Sequence, residues 1–125
     1  MRFEQLDVWK RASRLACDVY KTTETVQNWG FKDQITRAAL SVPSNIAEGE
    51  ERDSLKDKVR FLYYAKGSLG ELVTQLYIGA EIDYLDKQTA LTMVKEAKEL
   101  AKIIGTLIKN KESQIKEENA DYHVD

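Results

Sequence analysis

Gln34, Arg37, Ser41, Asn45 and Glu48 follow one another at steps of three and four. On a helix that spacing places all five on one stripe. Tyr64, Ser68, Glu71 and Gln75 repeat the spacing further along the chain. An arginine that meets a carboxylate between packed helices forms a charge-assisted pair. We expect a structural polar network of Gln34, Arg37, Ser41, Asn45, Glu48 and Glu71, with Arg37 paired to Glu71 or Glu48. Such a network fixes helix register or a subunit contact. The sharper alternative is a small-molecule or nucleotide site in which Arg37 binds an anion, and no other residue supports a substrate.

Other chemistry lacks material. The only histidine, His123, lies in a polar tail near the C-terminus and is expected to be a disordered surface residue. Cys17, the only cysteine, cannot form an internal disulfide and reads as a small buried hydrophobe. A Cys-His nucleophilic pair would need Cys17 to meet an untethered His123. There is no Glu-x-x-His motif, no Cys/His zinc spacing and no phosphate-cradling glycine loop. Gly67-Ser-Leu-Gly70 lies inside a continuous helical pattern. We therefore expect no catalytic residue, no metal, no cofactor and no enzymatic activity.

Nucleic acid is the remaining chemical partner to weigh. Lys10, Arg11 and Arg14 cluster on the first helical segment, with Lys21 beyond them. Phosphate affinity grows with the number of charges neutralised. Acidic residues nevertheless outnumber basic ones, 21 to 19, and the net charge is −2. No base-reading motif is present. Binding through Lys10, Arg11 and Arg14 is expected to be weak or absent, non-specific and salt-dependent.

These residues must be positioned by helices. The 125 residues fit one compact domain, and 42% hydrophobic and 32% charged residues with one proline point to an all-α fold. Val8, Ala12, Leu15, Val19 and Val26 mark a first helix that should stop near Gly30. Phe31, Ile35, Ala38, Ala39, Val42 and Ile46 mark a second, to Gly49, whose apolar face continues in phase across Pro43. A proline inside a helix costs ~3 kcal/mol, yet the phase favours one kinked helix over two. Ser54 is placed to cap a third helix, in which Leu55, Leu62, Leu69 and Leu76 repeat every seven residues. The repeat reads as the core seam of an antiparallel bundle rather than a free zipper. Asp86 is placed to cap a fourth helix carrying Ala90, Val94, Ala97, Ala101, Ile104 and Ile108. The expectation is an antiparallel, up-down-up-down, left-handed four-helix bundle over residues 1–110. Residues 111–125 should form a polar extension that frays.

The third helix has a second face. Tyr63, Gly67, Gly70, Thr74, Tyr77 and Ile78 lie roughly opposite its leucines. Each glycine costs ~1 kcal/mol of helix propensity relative to alanine. Two of them on an apolar face suggest close approach by another backbone. An oligomer interface at Tyr63, Gly67, Gly70, Thr74 and Tyr77 is expected, with cover by the extended fourth helix as the alternative. The first residues carry no apolar signal region, and no apolar run approaches the ~20 residues of a membrane span. The expectation is a cytoplasmic protein without membrane contact.

The motif Arg37-Ala-Ala-x-Ser-Val-Pro-Ser-Asn-Ile-Ala-Glu-Gly49 with Gln34, preceded by Phe3, Leu6, Val8 and Trp9, carries a resemblance. It is followed by Phe61-Leu62, Ala65, Gly67-Ser68, Glu71-Leu72, Gln75-Leu76 and Tyr84-Leu85. The chain resembles the four-helix-bundle protein family encoded by intervening sequences within bacterial 23S ribosomal RNA genes. The resemblance covers most of residues 3–85. It implies a left-handed bundle assembled as a ring-shaped homopentamer, with no established enzymatic activity and no assigned cellular role. It also implies a relation to accessory factors of diversity-generating retroelements, in which a basic pentamer engages nucleic acid and the reverse transcriptase. The acidic balance of this chain departs from that subtype. If nucleic acid does not bind, an unidentified protein partner is expected instead.

Overall fold

The computed structural model describes residues 1–122; His123 lies outside them. A short 3-10 turn, Arg2–Gln5, leads into α1 (Asp7–Thr22), α2 (Trp29–Glu50), α3 (Leu55–Glu81) and α4 (Lys87–Tyr122). The described residues form no strand.

Side chains at each helix start explain where three of the four begin. The Asn28 side chain accepts from the Phe31 N–H and opens α2. This corrects the expected stop at Gly30. Asn28 satisfies an orphan N–H at the start of α2, so Trp29 and Gly30 are that helix's first residues. Ser54 accepts from the Asp57 N–H at the start of α3. Asp86 accepts from both the N–H and the hydroxyl of Thr89, at 3.0 and 2.9 Å. These hydrogen bonds to the ionised form hold the Asp86 carboxyl below its ordinary range. The end of α3 is closed by Asp83, the one non-glycine residue at positive φ among those described. Its left-handed turn lets the N–H groups of Tyr84 and Leu85 donate back to the Gly79 carbonyl.

α2 runs unbroken through Pro43, which is itself buried. The apolar stripes of the four helices meet in one core. Its fully enclosed side chains include Val19, Ile35, Val42, Ile46, Leu69, Leu72, Leu76, Leu100 and Ile104. Leu62, Leu69 and Leu76 are buried as the seven-residue repeat requires, whereas Leu55 at the helix start is half-buried.

Specific contacts fix the helix directions. Gly79 lies against Phe31, Ser68 against Ser41, and Gly49 against Phe61. Position rises along α2 as it falls along α3, so the pair is antiparallel. Tyr63 meets Glu112 and Tyr77 meets Lys98, which sets α3 against α4 in the same way. α1 closes the bundle on α4, while α1 with α3 and α2 with α4 do not approach one another. α4 continues past Ile108 to Tyr122, and Ile115 still packs against the core.

Candidate functional site

The α2–α3 stripe is brought together in part. The Ser41 and Ser68 hydroxyls lie 2.8 Å apart across the two helices. Asn45 Nδ2 donates to the Ser41 hydroxyl and to the Ser41 carbonyl, each at 2.9 Å. Arg37 takes a different partner from those expected. Its Nε donates to both carboxylate oxygens of Asp33, one turn back, at 3.0 Å, and the side chain is 78% exposed. Glu48 pairs with Arg52 on its own helix. Glu71 is exposed and makes no ion pair among the described residues. The physical reason is local. An acid four residues away on the same helix needs no cross-helix reach, and it wins over Glu71 on the neighbouring one.

Gln34, Arg37, Ser41, Ser68, Glu71 and Gln75 line a shallow open groove of about 350 Å³. Gln75 Oε1 is buried and has no donor among the described residues. The groove offers hydrogen-bonding groups but no nucleophile paired with a base. Among the described residues no three His, Cys, Asp or Glu side chains are grouped to hold a metal ion.

The basic cluster of α1 is partly neutralised. Arg11 Nη2 lies 2.6 Å from Glu96 and 3.1 Å from Glu99 of α4. Hydrogen bonds to Glu96 and then Glu99 push the guanidinium far above its ordinary pKa. Lys10 and Arg14 are exposed. Arg14 borders a groove it shares with Asp18, Glu96 and Glu99.

The second face of α3 is open. An added Cβ at Gly67 or Gly70 would meet nothing within 4 Å. The extended α4 therefore does not cover the two glycines. It reaches only the flank of the face, where Glu112 accepts from the Tyr63 hydroxyl and Lys98 lies 5.5 Å from the Tyr77 ring centre. The negative charge of Glu112 raises the Tyr63 phenol above its usual range. Tyr63, Tyr77 and Ile78 are 49%, 44% and 49% exposed.

Two surfaces were not anticipated from the sequence. Ala16, Cys17, Tyr20, Leu40 and Pro43 line an apolar groove of about 400 Å³ between α1 and α2. Cys17 is exposed there, which corrects its reading as a buried hydrophobe. The signal was Leu40, which falls off the core face of α2 and is 50% exposed. A larger groove, about 500 Å³, runs between α3 and α4 past Tyr63, Lys66, Lys102, Thr106, Lys109 and Glu112.

Residues 4–106 match the family model described as 23S rRNA-intervening sequence protein. The chain belongs to that family. The fold is similar to a crystal structure of a protein of unknown function from the S23 ribosomal protein family of Bacteroides thetaiotaomicron. The TM-score is 0.76 at 21% sequence identity, over 82% of this chain and 98% of that one. At that identity the likeness speaks for the fold alone. No curated protein matches the chain. The family match ends at Thr106, within α4, so Lys109, Glu112 and the rest of that helix lie beyond it. No helix among the described residues is long and apolar enough to cross a membrane.

Proposed function

We propose that this member of the 23S rRNA-intervening sequence protein family is a non-enzymatic, cytoplasmic assembly protein that works as a homo-oligomer. A ring of five is the assembly that the family resemblance implies. The observation that carries the reading is the open face of α3, where Gly67 and Gly70 have nothing within 4 Å beside exposed Tyr63 and Tyr77. Inside one protomer these glycines weaken the helix and gain no contact in return. An incoming helix would use that space. The apolar groove around Cys17, Tyr20, Leu40 and Pro43 lies on α1 and α2, away from the α3 face. Two different apolar surfaces on one chain suit a head-to-tail contact, and head-to-tail contacts that close generate rings.

Sedimentation and circular dichroism of Gly70→Trp test this reading. The expected result is a smaller particle with unchanged helix content. A variant that keeps the wild-type particle size removes the α3 face from the interface, and a monomeric wild type removes the assembly. A nucleic-acid role through Lys10, Arg11 and Arg14 has less support, because Arg11 already serves Glu96 and Glu99.

A further inference from the structure

The arginines and lysines of this protein are used differently. Arg11, Arg37, Arg52 and Arg60 each hold a carboxylate. Among the described residues no lysine does, and the lysines of α4 concentrate on one line. At about 100° per residue, Lys95, Lys98, Lys102, Lys109 and Lys116 fall within an arc of about 60°, and all five are exposed. They span about 32 Å at ~1.5 Å per residue. No Asp or Glu of α4 lies inside the arc. Glu99 and Glu117 flank it on one side and Glu112 on the other, each about 40° away by the same helical geometry.

A sixth lysine joins from α3. Lys66 Nζ lies 3.9 Å from where a Cβ would stand on Gly105. The missing side chain at Gly105 leaves room for the ammonium to rest over α4, between the turns that carry Lys102 and Lys109. Lys66, Lys102 and Lys109 border the same groove, together with the hydroxyl-bearing Tyr63 and Thr106.

We propose that this lysine row is a binding site for the phosphodiester backbone of a nucleic acid. A straight, narrow line of unpaired ammonium groups matches a linear polyanion. A lipid surface fits it less well. Between Lys95 and Lys116 no apolar side chain lies in the arc to insert among headgroups. The flanking carboxylates would also be pressed toward a flat anionic surface, within a Debye length of about 8–10 Å. The row contains no base-reading group, so binding is independent of sequence. It is complete within one protomer and does not depend on the assembly proposed above.

The test is fluorescence anisotropy of a labelled single-stranded RNA and its duplex with the full-length protein. With six charges engaged on a single strand, log affinity falls with log salt at a slope of about −4, or roughly 10²-fold between ~50 and ~200 mM. Changing Lys98, Lys102 and Lys109 to Ala should lower that slope by about 2, while the Lys10→Ala, Arg14→Ala double variant leaves it unchanged. Circular dichroism checks that both variants keep their helices, and single Lys102→Ala provides a milder version. Absence of binding at low salt overturns the proposal, as does a slope untouched by the α4 changes. Binding to phosphatidylserine vesicles that matches or exceeds binding to RNA assigns the row to membranes instead.

Discussion

Arg11 donates to both carboxylate oxygens of Glu96, at 3.1 Å through Nε and 2.6 Å through Nη2, tying the first helix to the last across 85 positions of sequence. Its two side chains are 32% and 34% exposed, and Glu99 adds a third oxygen. Arg37 and Asp33 share a helix, and Arg37 stands 78% in solvent. Arg11→Ala should cost about 1 kcal/mol after allowance for solvent screening, and Arg37→Ala about 0.5 kcal/mol or less. Urea denaturation of the two variants checks the order. Equal costs would mean that Arg37 has a second partner that its contact with Asp33 does not represent.

Gly79 is the glycine that the bundle cannot replace. A Cβ there would stand 2.7 Å from both Leu85 Cδ1 and Phe31 Cζ. Leu85 is buried and Phe31 is held edge-on against Tyr84. Overpacking of this kind costs ~1–3 kcal/mol, and the gain in helix propensity returns ~1 at most. Gly79→Ala should therefore lower the thermal midpoint. Gly67→Ala, with open space around it, should raise the stability of an isolated protomer. A Gly79→Ala protein as stable as wild type would show that Leu85 and Phe31 move aside freely.

Asp86 gives acid sensitivity to the start of α4. Its carboxyl is held below the ordinary range by the Thr89 N–H and then the Thr89 hydroxyl. A depressed carboxylate contributes stability that is fully present above the unfolded value of ~3.9 and fades as pH falls through the folded one. Asp86→Asn should match wild type more closely at low pH than at neutral pH. Denaturation midpoints at the two pH values measure this. An unchanged gap between the proteins would remove the cap from the acid response.

The helices were legible because their apolar spacing is regular. The in-phase face across Pro43 correctly implied one helix rather than two, and Ser54 and Asp86 cap where their types suggested. The start of α2 was misjudged because glycine tolerates either end of a helix, and Asn28 decides which end it is. The partners of polar side chains were less legible. Spacing places Arg37 and Glu71 on facing stripes, but it does not fix the rotation and axial offset that would bring them together. Asp33 needed neither. The exposure of Cys17 was legible: at about 100° per residue it falls roughly opposite the stripe of Val8, Ala12, Leu15 and Val19, and the usual burial of cysteine outweighed that spacing in the sequence reading. The lysine row was present in the spacing of α4 and was obscured by a net charge that averages it with acids elsewhere.

The order of helix contacts has a kinetic side. α2 docks on α3 and α3 on α4 through short connections, so these pairings close small loops. The α1–α4 contact alone joins distant parts of the chain and carries the larger loop-closure entropy. Chains dominated by local contacts fold fast. The long-range closure is then expected to come late, with α1, already paired with α2 across a short connection, meeting α4 last. Loss of Arg11 should in that case speed unfolding and leave refolding nearly unchanged. Stopped-flow refolding of Arg11→Ala reads this directly, and a slowed refolding limb would place the α1–α4 contact in the nucleus.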